Sequence, residues 1–108
     1  MIIRKDTTKS IDNLLNNNTL EFSIEKNVYS LTNSKVAINK IYQLYDIQGE
    51  PNYVLAVFKE GGYAIASKDA IISECSLHTS NSHPYKNFTD SGLIYAGPGN
   101  YIVEKNNQ

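Results

Sequence analysis

The sequence of 108 residues contains one cysteine, no tryptophan and no long apolar segment. A single cysteine excludes an intrachain disulfide, so the fold has to be held together by packing alone. No apolar run reaches about 18 residues, the length that a membrane-spanning helix needs. The N-terminal segment, residues 1–9, has too short an apolar core for a signal peptide. We therefore expect a cytoplasmic protein or an exported form whose leader has been removed.

The charges nearly cancel, because ten basic residues oppose eleven acidic ones and leave a net charge of −1. Such a chain has no long-range field that would attract nucleic acid or an anionic membrane, and we expect neither as a partner. Hydrophobic residues make up 41% and charged residues 19%, which is a globular composition. The length fits a single domain over residues 1–108, with 105–108 as a frayed tail.

The N-terminal third predicts one short helix followed by a strand. Thr7 to Asn18 has a capping serine and an apolar stripe of three residues, and the asparagines at 16–18 are expected to end the helix. From Leu20 to Leu31 apolar and polar residues alternate, which favours a strand that is bulged or broken near Asn27. A further segment, 35–47, fits both a helix and a strand, and its Val, Ile and Tyr content favours the strand.

The middle of the chain predicts a three-stranded antiparallel meander. Its strands are 53–58, 63–67 and 70–77, joined by a Gly61-Gly62 hairpin and a polar turn. A loop follows over residues 78–92, and loops of this length are usually functional or disordered. Two short strands, 93–96 and 101–104, flank a Gly-Pro-Gly turn. The predicted fold class is α+β, with one short N-terminal helix packed on a mainly antiparallel sheet of five to seven strands.

Cys75 is the only thiol and lies in the middle of a predicted strand, on the same face as Ile71 and Leu77. A nucleophilic cysteine needs a lowered pKa, usually from a helix N-terminus or an imidazolium. We interpret Cys75 as a small core residue and predict no catalytic residue. An enzyme that uses Cys75 with His78 or His83 is the alternative.

The sequence also predicts no metal site and no cofactor. Cys75, His78 and His83 match no common zinc spacing and lack a fourth ligand. The glycines of the two turns are followed by strands, whereas a phosphate-binding loop requires a helix N-terminus. The three carboxylates on predicted strands are interpreted as parts of a solvated face: Glu21, Glu25 and Glu74.

The tyrosines divide into two groups. Four lie inside predicted strands and are expected to pack, with the hydroxyl at the rim: Tyr42, Tyr45, Tyr53 and Tyr63. Tyr85, Tyr95 and Tyr101 lie in or beside the long loop and the Gly-Pro-Gly turn. For Tyr85 two interpretations are equally supported, a binding anchor for a partner or a ring that pins the loop onto the core.

The meander resembles a known family. The run Tyr53-Val54, Phe58, Gly61 to Asp69 and Ile72 to Ser76 is similar to the propeptides of streptopain-type bacterial cysteine peptidases. The C-terminal pieces Ser82-His83-Pro84-Tyr85 and Tyr95 to Tyr101 resemble prodomain-like modules in secreted proteins of Gram-positive bacteria.

This resemblance implies a small α+β module that occupies the active-site cleft of a papain-like peptidase and keeps it inactive. In such propeptides the loop after the strand that ends in serine faces the cleft, and here that loop is 78–88. The contact residues implied in this loop are Asn81, Ser82, Pro84 and Tyr85. The Gly-Pro-Gly turn is a second candidate, since a rigid turn loses little entropy on binding. Its contact residues are Gly97, Pro98, Gly99 and Tyr101.

The sequence thus leads to two main hypotheses of function. The first is a propeptide-like inhibitor of a bacterial cysteine peptidase. The second is another non-catalytic interaction protein, such as a bacteriocin immunity protein or a phage-encoded defence antagonist. In both, the expected partner is a protein.

Overall fold

The computed structural model describes residues 10–77, 83–87 and 92–104, with helix side chains from residue 19 onward. This part of the chain forms one helix and six strands. They are α1 (Ser10–Thr32), β1 (Ile38–Leu44), β2 (Tyr53–Phe58), β3 (Tyr63–Ser67), β4 (Ile72–Ser76), β5 (Gly92–Tyr95) and β6 (Tyr101–Glu104). Within the described residues, no helix is long and apolar enough to cross a membrane.

The strands form two antiparallel units. β1 to β4 make a four-stranded sheet in the order β1-β2-β3-β4, and β5 pairs with β6 in a separate ribbon. The predicted meander, the strand within 35–47 and the α+β class are confirmed. The ribbon is tied to the end of β1, because the Tyr45 amide donates to the Leu93 carbonyl and the Tyr95 amide donates to the Tyr45 carbonyl, both at 2.8 Å.

The prediction for the N-terminal third is wrong in two respects. The helix does not end at the asparagines 16–18, and the segment predicted as a strand is its continuation. The physical reason is a second apolar pattern: Leu20, Ile24 and Val28 are spaced by four residues and pack against the sheet. The helix ends at Thr32, and the next residue, Asn33, has a φ of 61°, the left-handed conformation typical of the residue after a helix C-terminus.

The helix is docked on the sheet by polar contacts as well as by its apolar row. The Asn27 side-chain amide donates to the Ala70 carbonyl at 2.7 Å. At the other side, the Glu25 carboxylate accepts the Ile38 amide at 2.9 Å. These contacts fix the helix between the turn before β4 and the start of β1.

The sheet has a core on each face. The core between the helix and the sheet consists mainly of short and branched side chains from both elements: Ile24, Val28, Ile38, Val54, Ala56, Phe58, Ala64, Ala66 and Ala70. The opposite face is covered by the β5–β6 ribbon and the turn at 83–87. Its buried residues are Leu44, Leu55, Ile65, Tyr85, Leu93 and Tyr95.

A register shift in β4 corrects the predicted face of this strand. Ile65 is paired with Glu74 but Ala66 with Ile72, so the β3–β4 register skips one residue. Beyond this irregularity Ile71 does not share the buried face of Cys75 and is 67% exposed. Glu74 consequently lies on the ribbon side of the sheet, where it meets the tyrosines of β5 and β6.

Candidate protein-binding surface

The connection between β5 and β6 is a tight, exposed turn over residues 97–100. The Asn100 amide donates to the Gly97 carbonyl at 2.9 Å, and the Ala96 amide donates to the Asn100 carbonyl at 3.0 Å. Gly97 and Gly99 have φ values of 110° and 82°, which L-residues rarely adopt. The turn is therefore closed by hydrogen bonds of its own backbone.

Glu74 anchors this turn to the sheet. Its Oε2 accepts the Gly99 amide at 3.2 Å and the Tyr95 hydroxyl at 2.9 Å. Its Oε1 accepts the Tyr101 hydroxyl at 2.6 Å. The prediction that Glu74 belongs to a solvated face is wrong, because this half-buried carboxylate holds both strands and the tip of the ribbon.

The rings above Glu74 form an aromatic cluster. Tyr95 packs edge-on against Tyr53 with centroids 5.0 Å apart, and it stacks with Tyr101 at 6.2 Å. Tyr101 also contacts Tyr85 edge-on at 5.7 Å. Aromatic pairs of these geometries add about 0.5–1.5 kcal/mol each to the burial of the rings. The cluster makes the ribbon a stiff support for the turn.

The hydroxyl groups of Tyr95 and Tyr101 are uncharged donors at neutral pH. Burial raises the pKa of Tyr95 to about 12, and hydrogen bonding to the Glu74 carboxylate acts in the same direction. Burial likewise raises the pKa of Tyr101 and of Tyr63. Because the single Tyr95 proton is directed at Glu74, the Ser73 hydroxyl donates to the Tyr95 oxygen at 2.8 Å.

Of the residues predicted in the 78–88 loop, Tyr85 is placed inside the core. Its side chain is 0% exposed, its hydroxyl donates to the Ile94 carbonyl, and burial raises its pKa to about 12. A fully buried ring offers no side-chain surface to a partner, so the structure corrects the placement of Tyr85 among the contact residues. Tyr85 pins the turn at 83–87 onto the core, as the second interpretation has it.

The structure covers only part of the remaining loop. Pro84 is half-buried, and Asn81 and Ser82 lie outside the described residues. His83 lies beside Tyr42, with ring centroids 6.1 Å apart, and its Nδ1 accepts the Tyr85 amide at 3.2 Å. Burial and, to a lesser extent, the charge of Lys86 lower the pKa of His83.

The ribbon brings together the second group of predicted contact residues, those of the Gly-Pro-Gly turn. Pro98 and Gly99 are exposed at the tip, whereas Gly97 and Tyr101 are half-buried at its base. The Tyr101 hydroxyl is already engaged by Glu74, so only part of its ring edge is accessible. The surface that these residues offer is thus a narrow, rigid protrusion with Pro98 at its tip.

The surroundings of Cys75 differ from those that lower the pKa of a nucleophilic cysteine. It packs against the core under the helix, and burial raises the pKa of its thiol. His83 lies beside Tyr42 on the ribbon face of the sheet, and His78 lies outside the described residues. Among the residues that the structure covers, no group of three or more His, Cys, Asp or Glu side chains is placed to hold a metal ion.

The anchoring role of Glu74 was not predicted from the sequence. Its partners are Tyr95, Gly99 and Tyr101, which follow it by 21, 25 and 27 positions. No local sequence pattern indicates contacts between residues that are so far apart in the chain. The abundance of tyrosine near the C-terminus was the one available signal, because buried phenol groups require hydrogen-bond partners.

Comparisons with protein-family models, with curated proteins and with solved structures found no significant match for this chain.

Proposed function

We propose that this chain is a non-catalytic protein-binding module that acts as a propeptide-like inhibitor of a papain-like bacterial cysteine peptidase. The observation that carries the proposal is the turn at 97–100, which is closed by its own backbone and anchored through Gly99 to Glu74. A contact element that is already rigid loses little conformational entropy on binding. The resemblance of the meander to streptopain-type propeptides supplies the class of partner.

The shape of the turn also supports inhibition rather than cleavage. A peptidase cleaves a segment that can lie extended along its cleft beside the nucleophile. Gly97 and Gly99 have positive φ values, so the backbone of this turn departs from an extended conformation. In this proposal the tip enters the cleft without aligning a scissile bond, and residues of the 78–88 loop, with Asn81, Ser82 and Pro84, add contacts beside it.

The experiment is a titration of the purified protein into a streptopain-type peptidase, followed with a fluorogenic substrate. We expect saturable inhibition. Pro98→Glu should raise the inhibition constant at least about tenfold, as substitutions of central contact residues commonly do. Pro51→Glu is the matched control, because Pro51 is also an exposed proline beside a turn. Asn81→Ala tests the loop separately.

The outcomes separate the parts of the proposal. Inhibition that is lost in Pro98→Glu and kept in Pro51→Glu would support the turn as the contact. Inhibition that is lost only in Asn81→Ala would keep the function and reassign the contact to the loop. Absence of inhibition at large excess, with the fold intact by circular dichroism, would reject a peptidase as the partner.

We propose as the second candidate a non-catalytic interaction protein of another kind, such as an immunity protein or a defence antagonist. The burial of Tyr85 favours it, since it removes one of the four contacts that the peptidase hypothesis assigns to the loop. The rigid turn would serve such a partner equally well. Affinity capture with the parent protein and with Pro98→Glu would then identify a partner whose recovery depends on the tip.

A further inference from the structure

The outer side of α1 carries two exposed aromatic side chains, Phe22 and Tyr29, which form its outer row. Phe22 and Tyr29, two turns apart, are 67% and 45% exposed. An α-helix turns about 100° per residue, so residues seven apart lie in one row. By this rotation Phe22 points about 160° away from the buried Ile24, and Tyr29 points about 100° away from the buried Val28.

Charged residues flank this row asymmetrically. By the same rotation, Glu21 and Glu25 lie on one side of the row and Lys26 lies on the other. When two such helices pair in parallel about a two-fold axis along their length, the acidic side of each faces Lys26 of the other. In an antiparallel pair the acidic sides face each other instead. Charges beside an apolar seam set the orientation of helix pairs in this way.

We infer that the outer row of α1 is an interface for a second copy of this chain, paired in parallel. Phe22 and Tyr29 stack along the two-fold axis, and Glu21 of each copy pairs with Lys26 of the other. The two rings are seven residues apart on the helix, which is about 10 Å along its axis, so they form a short seam. The two sheets lie on opposite sides of the helix pair, because each packs on the inner side of its own helix.

Glu25 lies on the acidic side of the row and also binds the backbone at the start of β1. Its Oε2 accepts the Ile38 amide at 2.9 Å, so replacing it would disturb the start of β1. Glu21 and Lys26 are therefore the residues whose charges can be exchanged without changing that contact.

The experiment is sedimentation velocity of the whole chain from about 1 µM to about 1 mM, a range that covers weak to moderate dissociation constants. We expect a concentration-dependent dimer whose dissociation constant rises at least about tenfold in Phe22→Gln. Leu31→Gln is the matched control, because Leu31 is 64% exposed on the same helix but lies outside the row, and it should leave the dimer unchanged.

Exchange of charges tests the orientation. Lys26→Glu should weaken the dimer about fivefold, since exposed charge pairs contribute modestly. The double variant Glu21→Lys with Lys26→Glu should restore it, because the pairs are then re-formed with reversed signs. A monomer at every concentration, equal effects of Phe22→Gln and Leu31→Gln, or no recovery in the double variant would overturn the inference.

Discussion

The Tyr101 hydroxyl donates to Glu74 Oε1 at 2.6 Å, across the interface between the ribbon and the edge strand of the sheet. Tyr95 and the Gly99 amide bind the other oxygen of the same carboxylate. One side chain of the meander therefore determines where the tip of the C-terminal ribbon lies. The position of the proposed contact turn therefore depends on Glu74, through its hydrogen bond to the Gly99 amide.

We expect Glu74→Gln to lower the free energy of unfolding by about 2 kcal/mol, because hydrogen bonds to a charged group contribute about 1.5–3 kcal/mol. A glutamine has one accepting oxygen, so it leaves at least one of the three donors without a partner. Urea unfolding at neutral pH measures the loss. Glu60→Gln, the same change at an exposed site, should have almost no effect. Equal losses in the two variants would contradict the role of Glu74.

The buried tyrosines predict a loss of stability in alkali. The pKa values of Tyr85 and Tyr95 are raised from 10.0 to about 12 in the folded protein, so the folded state holds these protons more tightly. The resulting stabilisation is complete below pH 10 and disappears as the pH rises from 10 through about 12. We expect the midpoint of urea unfolding to fall steeply in that interval, together with the appearance of tyrosinate absorbance.

Tyr95→Phe tests the origin of this alkaline transition. The variant loses the hydrogen bonds to Glu74 and Ser73, so it should be less stable at neutral pH. Its stability should nevertheless decline less between pH 10 and 12 than that of the parent, because one shifted group has been removed. A parallel decline in both proteins would show that Tyr95 does not contribute to the transition.

Gly62, in the β2–β3 hairpin, and Gly49 differ in the space that is available for an added side chain. A Cβ atom on Gly62 would lie 2.9 Å from the Leu77 Cα and would also clash with the Ser76 carbonyl, whereas one on Gly49 meets nothing within 4 Å. Both residues have positive φ, 96° and 83°. Gly49→Ala should cost only the backbone strain, about 1 kcal/mol.

We expect Gly62→Ala to cost about 2–4 kcal/mol, since overpacking adds about 1–3 kcal/mol to the same backbone strain. Urea unfolding of the two variants measures the difference. Similar costs would mean that the chain after β4 does not pass as close to the hairpin as the structure has it.

The meander was predictable because its signals are local. Val, Ile and Tyr runs alternate with short turns, and each turn contains glycine or polar residues at the required position. The N-terminal third was not predictable from alternation, because it satisfies two periods at once. Leu20, Phe22 and Ile24 alternate as in a strand, and Leu20, Ile24 and Val28 repeat as in a helix. Packing of the second set on the sheet decides between them.

The candidate surface was predictable only in part. The rigid turn follows from its Gly-Pro-Gly composition, but its anchorage depends on Glu74, which is 25 residues away in the chain. The position of Tyr85 depends on the ribbon that covers it, and the alternatives of anchor and core residue could not be separated from the sequence. Long-range contacts therefore account for most of what the sequence analysis missed.

A last prediction tests whether the segment from Leu20 to Leu31 is a helix or a strand, by comparing the burial of Phe22 and Ile24. In a strand, Phe22 and Ile24 would share one face and would be equally buried. In the helix they point in opposite directions, and Ile24 is 0% exposed while Phe22 is 67% exposed. We expect Ile24→Ala to lower the free energy of unfolding by about 2–5 kcal/mol, as truncation of buried side chains does. Phe22→Ala should cost less than about 1 kcal/mol when measured at a protein concentration low enough to keep the chain monomeric. Comparable losses in the two variants would contradict the one-sided burial of this helix, because both residues would then belong to the core.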